Sequence, residues 1–233
     1  MKEKIEGIIL NETNYSESSK ILNILTKEHG YISVISKGSR SIKSRLRGIS
    51  MKLVYGEFVI TYKPSGISNL IEGSLVNSFK NIMTDFNKMN YANKCVNIVK
   101  SILKDNNDST IFLILRDSLI KINDDLNPKL IYLILSLKLL NYLGVRPDFN
   151  NCINCGSNKI KTFDLNIPGS ICNNCYNETF LFQTNTLKLL KLFQNVDINK
   201  IDKLNITSNK VMEELIYFIK EYYDSYTGIY FNI

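Results

Sequence analysis

Short β-branched and aromatic runs fill the first 80 positions, and apolar residues at three- and four-residue spacing dominate the rest of the chain. Ile5 to Leu10, Lys20 to Thr26 and Tyr31 to Ser36 read as strands, punctuated by Asn11 to Ser19 and by His29-Gly30. Leu53 to Tyr62 and Ile67 to Val76 come next, separated by the turn sequence Lys63-Pro64-Ser65-Gly66. Five strands in so short a span suit a small closed or partly open barrel, either OB-like or SH3-like. From about Asp85 the period becomes helical. Ile82, Phe86, Met89, Val96, Val99 and Leu103 share one face, and Ile111, Phe112, Leu115, Leu119 and Ile122 repeat it. Pro128 opens a helix that is apolar on most sides and extends to about Leu143, with Gly144 and Pro147 as stop signals. Two further helices are expected over Thr184 to Phe193 and Lys210 to Tyr223.

The pattern predicts an α+β, multidomain chain: a barrel over residues 1–80, a helical domain over 81–148 plus 178–233, and an insert over 149–177. Leu126 to Val145 is the most apolar stretch, but Lys129, Lys138 and Asn141 interrupt it, so a buried helix is expected and not a membrane span. The first residues mix charges without an apolar core, unlike a secretory signal, and a cytoplasmic protein is expected.

Four of the five cysteines stand as Cys152-x2-Cys155 and Cys172-x2-Cys175, with 16 residues between the pairs. A two-residue gap lets both sulfurs of a tight turn face one ion, and two such turns complete a tetrahedral four-thiolate site for one structural Zn2+. The intervening span has room for a short hairpin, and Gly156 stands where a metal knuckle needs positive φ. Two disulfides are the alternative, and they require an oxidising compartment. The isolated Cys95 reads as a small core residue.

Charge narrows the partner. Twenty-nine Lys and Arg against 22 Asp and Glu give +7, which favours an anionic partner. The charge concentrates in Lys37-Gly38-Ser39-Arg40-Ser41-Ile42-Lys43-Ser44-Arg45-Leu46-Arg47, five cations without an acid, and Lys52 and Lys63 extend it. Lys37, Arg40, Lys43, Arg45 and Arg47 are therefore candidate contacts to nucleic-acid phosphates, against the plainer reading of a solvated loop. Tyr31, Tyr55, Phe58 and Tyr62 are the nearby aromatics that could stack on bases. Nothing here reads a base edge, so binding without sequence preference is expected. Catalysis is not: the sole histidine, His29, reads as a turn residue, and no Walker loop, His-x-Glu zinc deaminase motif, paired carboxylates or Ser/His/Asp constellation is present.

Three stretches in this order resemble the bacterial RecO family of DNA-repair and recombination-mediator proteins. They are Asn14-Tyr15-Ser16-Glu17-Ser18-Ser19-Lys20-Ile21 leading to Thr26, Gly30 and Lys37-Gly38-Ser39-Arg40; Ser65-Gly66-Ile67-Ser68-Asn69-Leu70; and Leu139-Leu140-Asn141-Tyr142-Leu143-Gly144-Val145-Arg146-Pro147 ahead of the cysteine pairs. The chain departs from the family at Ile49-Ser50-Met51-Lys52, at Ile167-Pro168-Gly169-Ser170 and over its last 50 residues. The resemblance implies an amino-terminal OB-fold, a helical body and a four-cysteine zinc module. It also implies binding to single- and double-stranded DNA, strand annealing, and action with RecR to load RecA on DNA coated by single-stranded DNA-binding protein (SSB), whose tail such a protein grips. Location in the cytoplasm, at the nucleoid, goes with that role. By position, Lys37 and Arg40 match the family's basic loop, and Cys152, Cys155, Cys172 and Cys175 its zinc ligands. A zinc-ribbon transcription or adaptor protein, whose barrel binds protein, is the alternative reading of the same features.

Overall fold

The computed structural model describes residues 2–103 and 108–232. Contacts gather the chain into two compact units, Met1–Asp125 and Leu126–Ile233. Among the described residues no helix is long and apolar enough to cross a membrane.

The first unit begins with β1 (Lys2–Tyr15), β2 (Ser19–Thr26), β3 (Gly30–Ser36), β4 (Tyr55–Thr61) and β5 (Ser68–Asn77). They close in the order β1-β2-β3-β5-β4, with β3 parallel to β5 and every other pair antiparallel. This is the OB arrangement, which settles the choice of barrel. Closure depends on β1, which serves two partners: Lys2 to Ile8 pair with β4 and Gly7 to Tyr15 with β2, with a register shift between Ile9 and Asn11. An extra residue on one strand bends it, as closure of a small sheet requires. Gly7 and Gly56 face each other in that ladder. A Cβ on Gly7 would lie 2.6 Å from Ile24 Cγ2, and one on Gly56 2.6 Å from the Ser74 carbonyl oxygen, so both positions need the missing side chain. Ile5, Ile9, Leu22, Ile24, Val34, Phe58, Ile60 and Leu70 fill the interior.

Two strand expectations are corrected. The expected break over Asn11 to Ser19 narrows to a turn at Ser16 to Ser18, since β1 runs to Tyr15 and pairs residue by residue with β2. Its polar side chains remain outside, with Lys20 Nζ 2.8 Å from Glu12, so composition hides a strand that the backbone ladder makes. Leu53, in turn, is not in a strand. Its φ is +65°, a left-handed conformation that ends the extended run, although its N–H still donates to Ile9 O at 2.9 Å.

Helices α1 (Lys80–Thr84), α2 (Phe86–Ile102) and α3 (Ser109–Asn123) complete the unit. Asp85 and Asp108 cap α2 and α3 through side-chain carboxylates. The ring of Tyr55, on the outer face of β4, meets Phe79 and Phe112 at centroid distances of 6.4 and 6.3 Å. Its hydroxyl donates to Glu6, and its pKa is pushed up to about 12, chiefly by burial. The buried side of α2 runs from Tyr91 to Ile102, and the expected face member Phe86 is 90% exposed because it occupies the first helical position.

In the second unit Pro128 opens α4 (Pro128–Leu139), whose Asn127 cap accepts from the N–H groups of Lys129 and Leu130. Nine of its 12 residues are buried, which makes it the centre of that core. It ends at Leu139, four residues before the expected Leu143, in turns that lead to Gly144 at φ +74°. The hairpin β6 (Ile160–Asp164) and β7 (Gly169–Cys172) comes next, then α5 (Thr184–Asn195) and α6 (Asn209–Tyr226). Gln183, at the start of α5, makes no side-chain cap. The buried Glu214 of α6 acts instead, accepting from Gln183 N at 2.9 Å and from the Thr186 hydroxyl at 2.5 Å. Periodicity divides the chain at 80 and 149 because it registers a change of side-chain repeat, whereas contacts group α1 to α3 with the barrel.

Candidate nucleic-acid interface and metal centre

Residues 37–54 join β3 to β4 without regular structure. Backbone bonds from Ser41 to Gly38, Ser44 to Ser41, Arg47 to Ser44 and Ser50 to Arg47 step through them three residues at a time. Arg40 and Lys43 therefore occupy the same place in successive turns. Ile49 joins the barrel core and Leu46 packs against it, so these two side chains plug the barrel while the loop's cations face out. Its ends are tied by the buried pair Ser36 Oγ and Ser50 Oγ at 2.8 Å. A second brace comes from the β1–β2 turn: Arg40 N donates to Ser18 O at 2.9 Å, its guanidinium donates to Ser16 O at 2.7 Å, and Gly38 N donates to Ser19 Oγ at 3.3 Å.

Lys37, Arg40, Lys43, Arg45 and Arg47 are all exposed. No acid among the described residues pairs with any of them. Uncompensated cations on a braced loop keep a positive potential where a phosphate can reach it. Arg40 differs from the rest, because bracing the β1–β2 turn already employs its guanidinium. Lys52 does not extend the patch: its Nζ donates to Asn93 Oδ1 on α2 at 2.7 Å, and burial, with Lys100 nearby, lowers its pKa. Lys63 belongs to the β4–β5 turn, where its N–H donates to Ser68 Oγ at 3.1 Å.

The aromatics divide differently from expectation. Phe58 is barrel core and Tyr55 lies against the helices, so neither can meet a base. Tyr62 stacks on His29 at 3.9 Å, which fixes the β2–β3 turn and leaves His29 as a turn residue 3.1 Å from Glu3. Tyr31 remains exposed. Two candidates escape a reading by composition. Tyr15, half exposed, stands beside the turn that Arg40 braces, and Ile42, 84% exposed, is an apolar side chain among the cations. The signal for Ile42 is its isolation in a Ser- and Arg-rich run, whereas Tyr15 ends a polar stretch whose composition reads as loop.

The four cysteines do converge. Their sulfurs lie within 4.8 Å of one another, and Cys155 Sγ is 3.6 Å from Cys172 Sγ. Zinc–thiolate bonds of about 2.3 Å set a tetrahedron edge of about 3.8 Å, so the cluster fits one ion, while a disulfide would need about 2 Å. Each pair is shaped by its backbone. Gly156, at φ +71°, donates to Cys152 O at 2.8 Å, and a single 3-10 turn, Asn173–Cys175, shapes the second pair. Backbone N–H groups, first that of Cys172, push the Cys152 thiol down to about 6, and neighbouring sulfurs, first that of Cys155, push Cys175 up to about 12. One thiolate is welcome and four are not without a cation among them. Cys95, fully buried in α2, has its thiol pushed well up by burial and stands apart.

The hairpin between the cysteine pairs shares its core with α6. Phe163 of β6 meets Phe149 at 5.4 Å, Phe218 at 5.0 Å and Tyr222 at 6.1 Å, and Phe182 meets Phe218 at 5.7 Å. The insert is thus anchored by rings at one end, and at the other it brings together four sulfurs able to hold an ion.

Two family models divide the chain at the end of the barrel: "Recombination protein O N terminal" matches residues 1–79 and "Recombination protein O C terminal" residues 83–232. Among curated relatives, proteins named DNA repair protein RecO align over nearly the full length. That of Bacillus subtilis is 30% identical over 99% of this chain and 91% of its own. That of Bacillus pumilus is 29% identical over 97% and 90%, and that of Listeria monocytogenes 29% over 98% and 91%. With an OB barrel under one match and a four-cysteine helical unit under the other, this chain belongs to the RecO family.

Proposed function

We propose that this chain binds single- and double-stranded DNA by its backbone, anneals complementary strands, and acts with RecR to load RecA on SSB-coated DNA in the cytoplasm, at the nucleoid. Family membership supports the broader role in DNA repair and recombination. One observation carries the finer reading: the β3–β4 loop keeps its cations exposed, unpaired with any described acid and braced on an OB barrel. Annealing breaks no covalent bond. It requires phosphate repulsion to fall on two strands while their bases stay free to pair, and a surface that neutralises phosphates does this without ATP. Lys37, Lys43, Arg45 and Arg47 would take phosphates, with Arg40 holding the loop in shape. Tyr15 and Ile42 would lie against unpaired bases. Cys152, Cys155, Cys172 and Cys175 would hold one Zn2+, whose role is to fold the insert. Tethering SSB at the same time would raise the local concentration of strands.

The test is fluorescence-monitored annealing of complementary oligonucleotides coated with cognate SSB, without ATP. Acceleration that fades as salt rises, and is lost on reversing the charge of Lys43, Arg45 and Arg47, is the expected result. No acceleration with active SSB present would favour the adaptor reading, in which the barrel binds protein.

A further inference from the structure

A second cationic surface lies wholly within the second unit, where the zinc hairpin meets α5. Two cavities adjoin there, about 1000 and 410 Å³, sharing Ile160 and Thr184 in their walls. Lys159, Lys161 and Lys210 line the larger, and Lys188 and Lys191 the smaller. Neither lining includes a carboxylate. Among the described residues none of these five lysines forms an ion pair; Lys161 packs its ammonium 3.6 Å from the Tyr176 ring centroid, which leaves its charge uncompensated. Two acids that bond to residues of the lining are already engaged. Asp148 accepts from Asn150 and Asn151, and Glu214 accepts from Gln183 and Thr186 inside the start of α5. That start is therefore already capped, and the lysine side chains, not the helix end, define the surface.

The remaining lining sets the class of ligand. Asn173, Asn174 and Asn185 stand in the larger cavity and Asn150, Asn151 and Asn158 in the smaller. Amide groups beside spaced ammonium groups suit a polyanion with repeating charge and polar sugar edges between. A compact anion would use one cavity, whereas a strand spans both, with its phosphates on the ammonium groups and its bases against the apolar wall residues Ile160, Leu181 and Leu187. We propose that this lysine groove, running from Lys210 past the β6 edge to Lys191, is a second phosphodiester site that takes single-stranded nucleic acid independently of the barrel loop. An annealing protein gains directly from it, since two sites on one chain hold two strands at once. It goes beyond the reading of the barrel loop and would stand if that loop proved silent.

The experiment uses the full zinc-loaded chain and a fluorescein-labelled oligo(dT) probe, with binding followed by anisotropy across a salt series. A protein carrying Lys43→Gln, Arg45→Gln and Arg47→Gln should keep residual, salt-sensitive binding. Adding Lys159→Gln, Lys161→Gln and Lys210→Gln should weaken that remainder about tenfold and reduce the log–log salt slope by about 2, near 0.7 for each single-strand phosphate released. The groove substitutions alone, in the otherwise native chain, should lower the slope by a similar amount. An unchanged slope in that variant overturns the proposal, whatever the loop variant shows. Zinc content and melting temperature identify a misfolded variant. Photocrosslinking of 5-iodouracil oligonucleotides to the native chain then gives an answer free of mutation: crosslinks within 157–191 support the groove, and their confinement to the barrel overturns it. Loss of binding to an acidic, apolar-ended peptide with DNA binding intact would reassign the groove to protein.

Discussion

The chain contains two β systems, a closed barrel and a two-stranded hairpin, and they are stabilised in opposite ways. The barrel is closed: β1 pairs with both β2 and β4, no strand is left as an edge, and a buried apolar interior fills it. It can therefore support the irregular segment 37–54 by packing Leu46, Ile49 and Val54 on that interior and tying the ends through serine hydroxyls. The hairpin between the cysteine pairs has two strands of five and four residues and no interior of its own. An isolated pair of that size is marginal in water. It draws stability from Phe163, set among Phe149, Phe218 and Tyr222, and its four cysteines are placed to add more by holding one ion. A closed sheet can carry a charged loop at little cost, whereas an open pair must be clamped at both ends.

The strongest way to break this contrast is to remove the clamp. Cys172→Ser, or chelation of the native protein, should release the metal and unfold β6 and β7. Structural zinc contributes on the order of 10 kcal/mol to such local folding. Hydrogen exchange should show the amides of Ile160 to Cys172 losing protection while β1 to β5 keep theirs; retained protection in the hairpin would mean that the rings suffice. Next in size is Phe163→Ala in the zinc-saturated protein. Deleting a fully buried ring of this kind costs about 3–5 kcal/mol, and the loss should reach α6 through Phe218. A melting temperature unchanged from the native chain would show that sulfur alone holds the insert.

A smaller effect sharpens the barrel side. Gly56→Ala brings a methyl against the Ser74 carbonyl and should cost about 1–3 kcal/mol, read as a lower urea midpoint with metal content intact. No change would mean that β4 and β5 can part slightly without reopening the barrel. Smallest for stability is the loop itself. Lys43→Gln, Arg45→Gln and Arg47→Gln together should shift unfolding by no more than about 0.5 kcal/mol, since none is buried or paired. The same triple substitution should lower the salt slope of single-strand binding by about 2. A large loss of stability would assign these side chains to the plug and not to a ligand surface.

Legibility in the sequence tracks the range of the interactions. Strand and helix identities come through wherever burial imposes a period, as at Leu22 and Ile24 in β2 or across the apolar α4. They fail where polar residues extend a strand by backbone pairing alone, at Asn11 to Tyr15, and where positive φ at Leu53 ends one. The convergence of the four cysteines is readable because each pair sits at knuckle spacing and only 16 residues separate the pairs. The loop's cations are readable as charge, but Lys52 is diverted to Asn93, 41 residues away, by a contact that no spacing records.

By itself, the sequence determined what short-range chemistry can decide. It carried the two side-chain periods, the turn and cap residues, the four thiols at knuckle spacing, and the excess of cations in one acid-free run. Only the tertiary structure decided which of those groups remain available. Barrel closure took Phe58 inward, and the helices over β4 covered Tyr55, while Tyr15 and Ile42 stayed exposed beside the basic loop. Folding also brought lysines 159, 161, 188, 191 and 210, scattered along the second unit, around one groove. The physical reason is that exposure and charge compensation are properties of packed neighbours. Those neighbours are chosen by long-range burial, which leaves no periodic trace in the local chain.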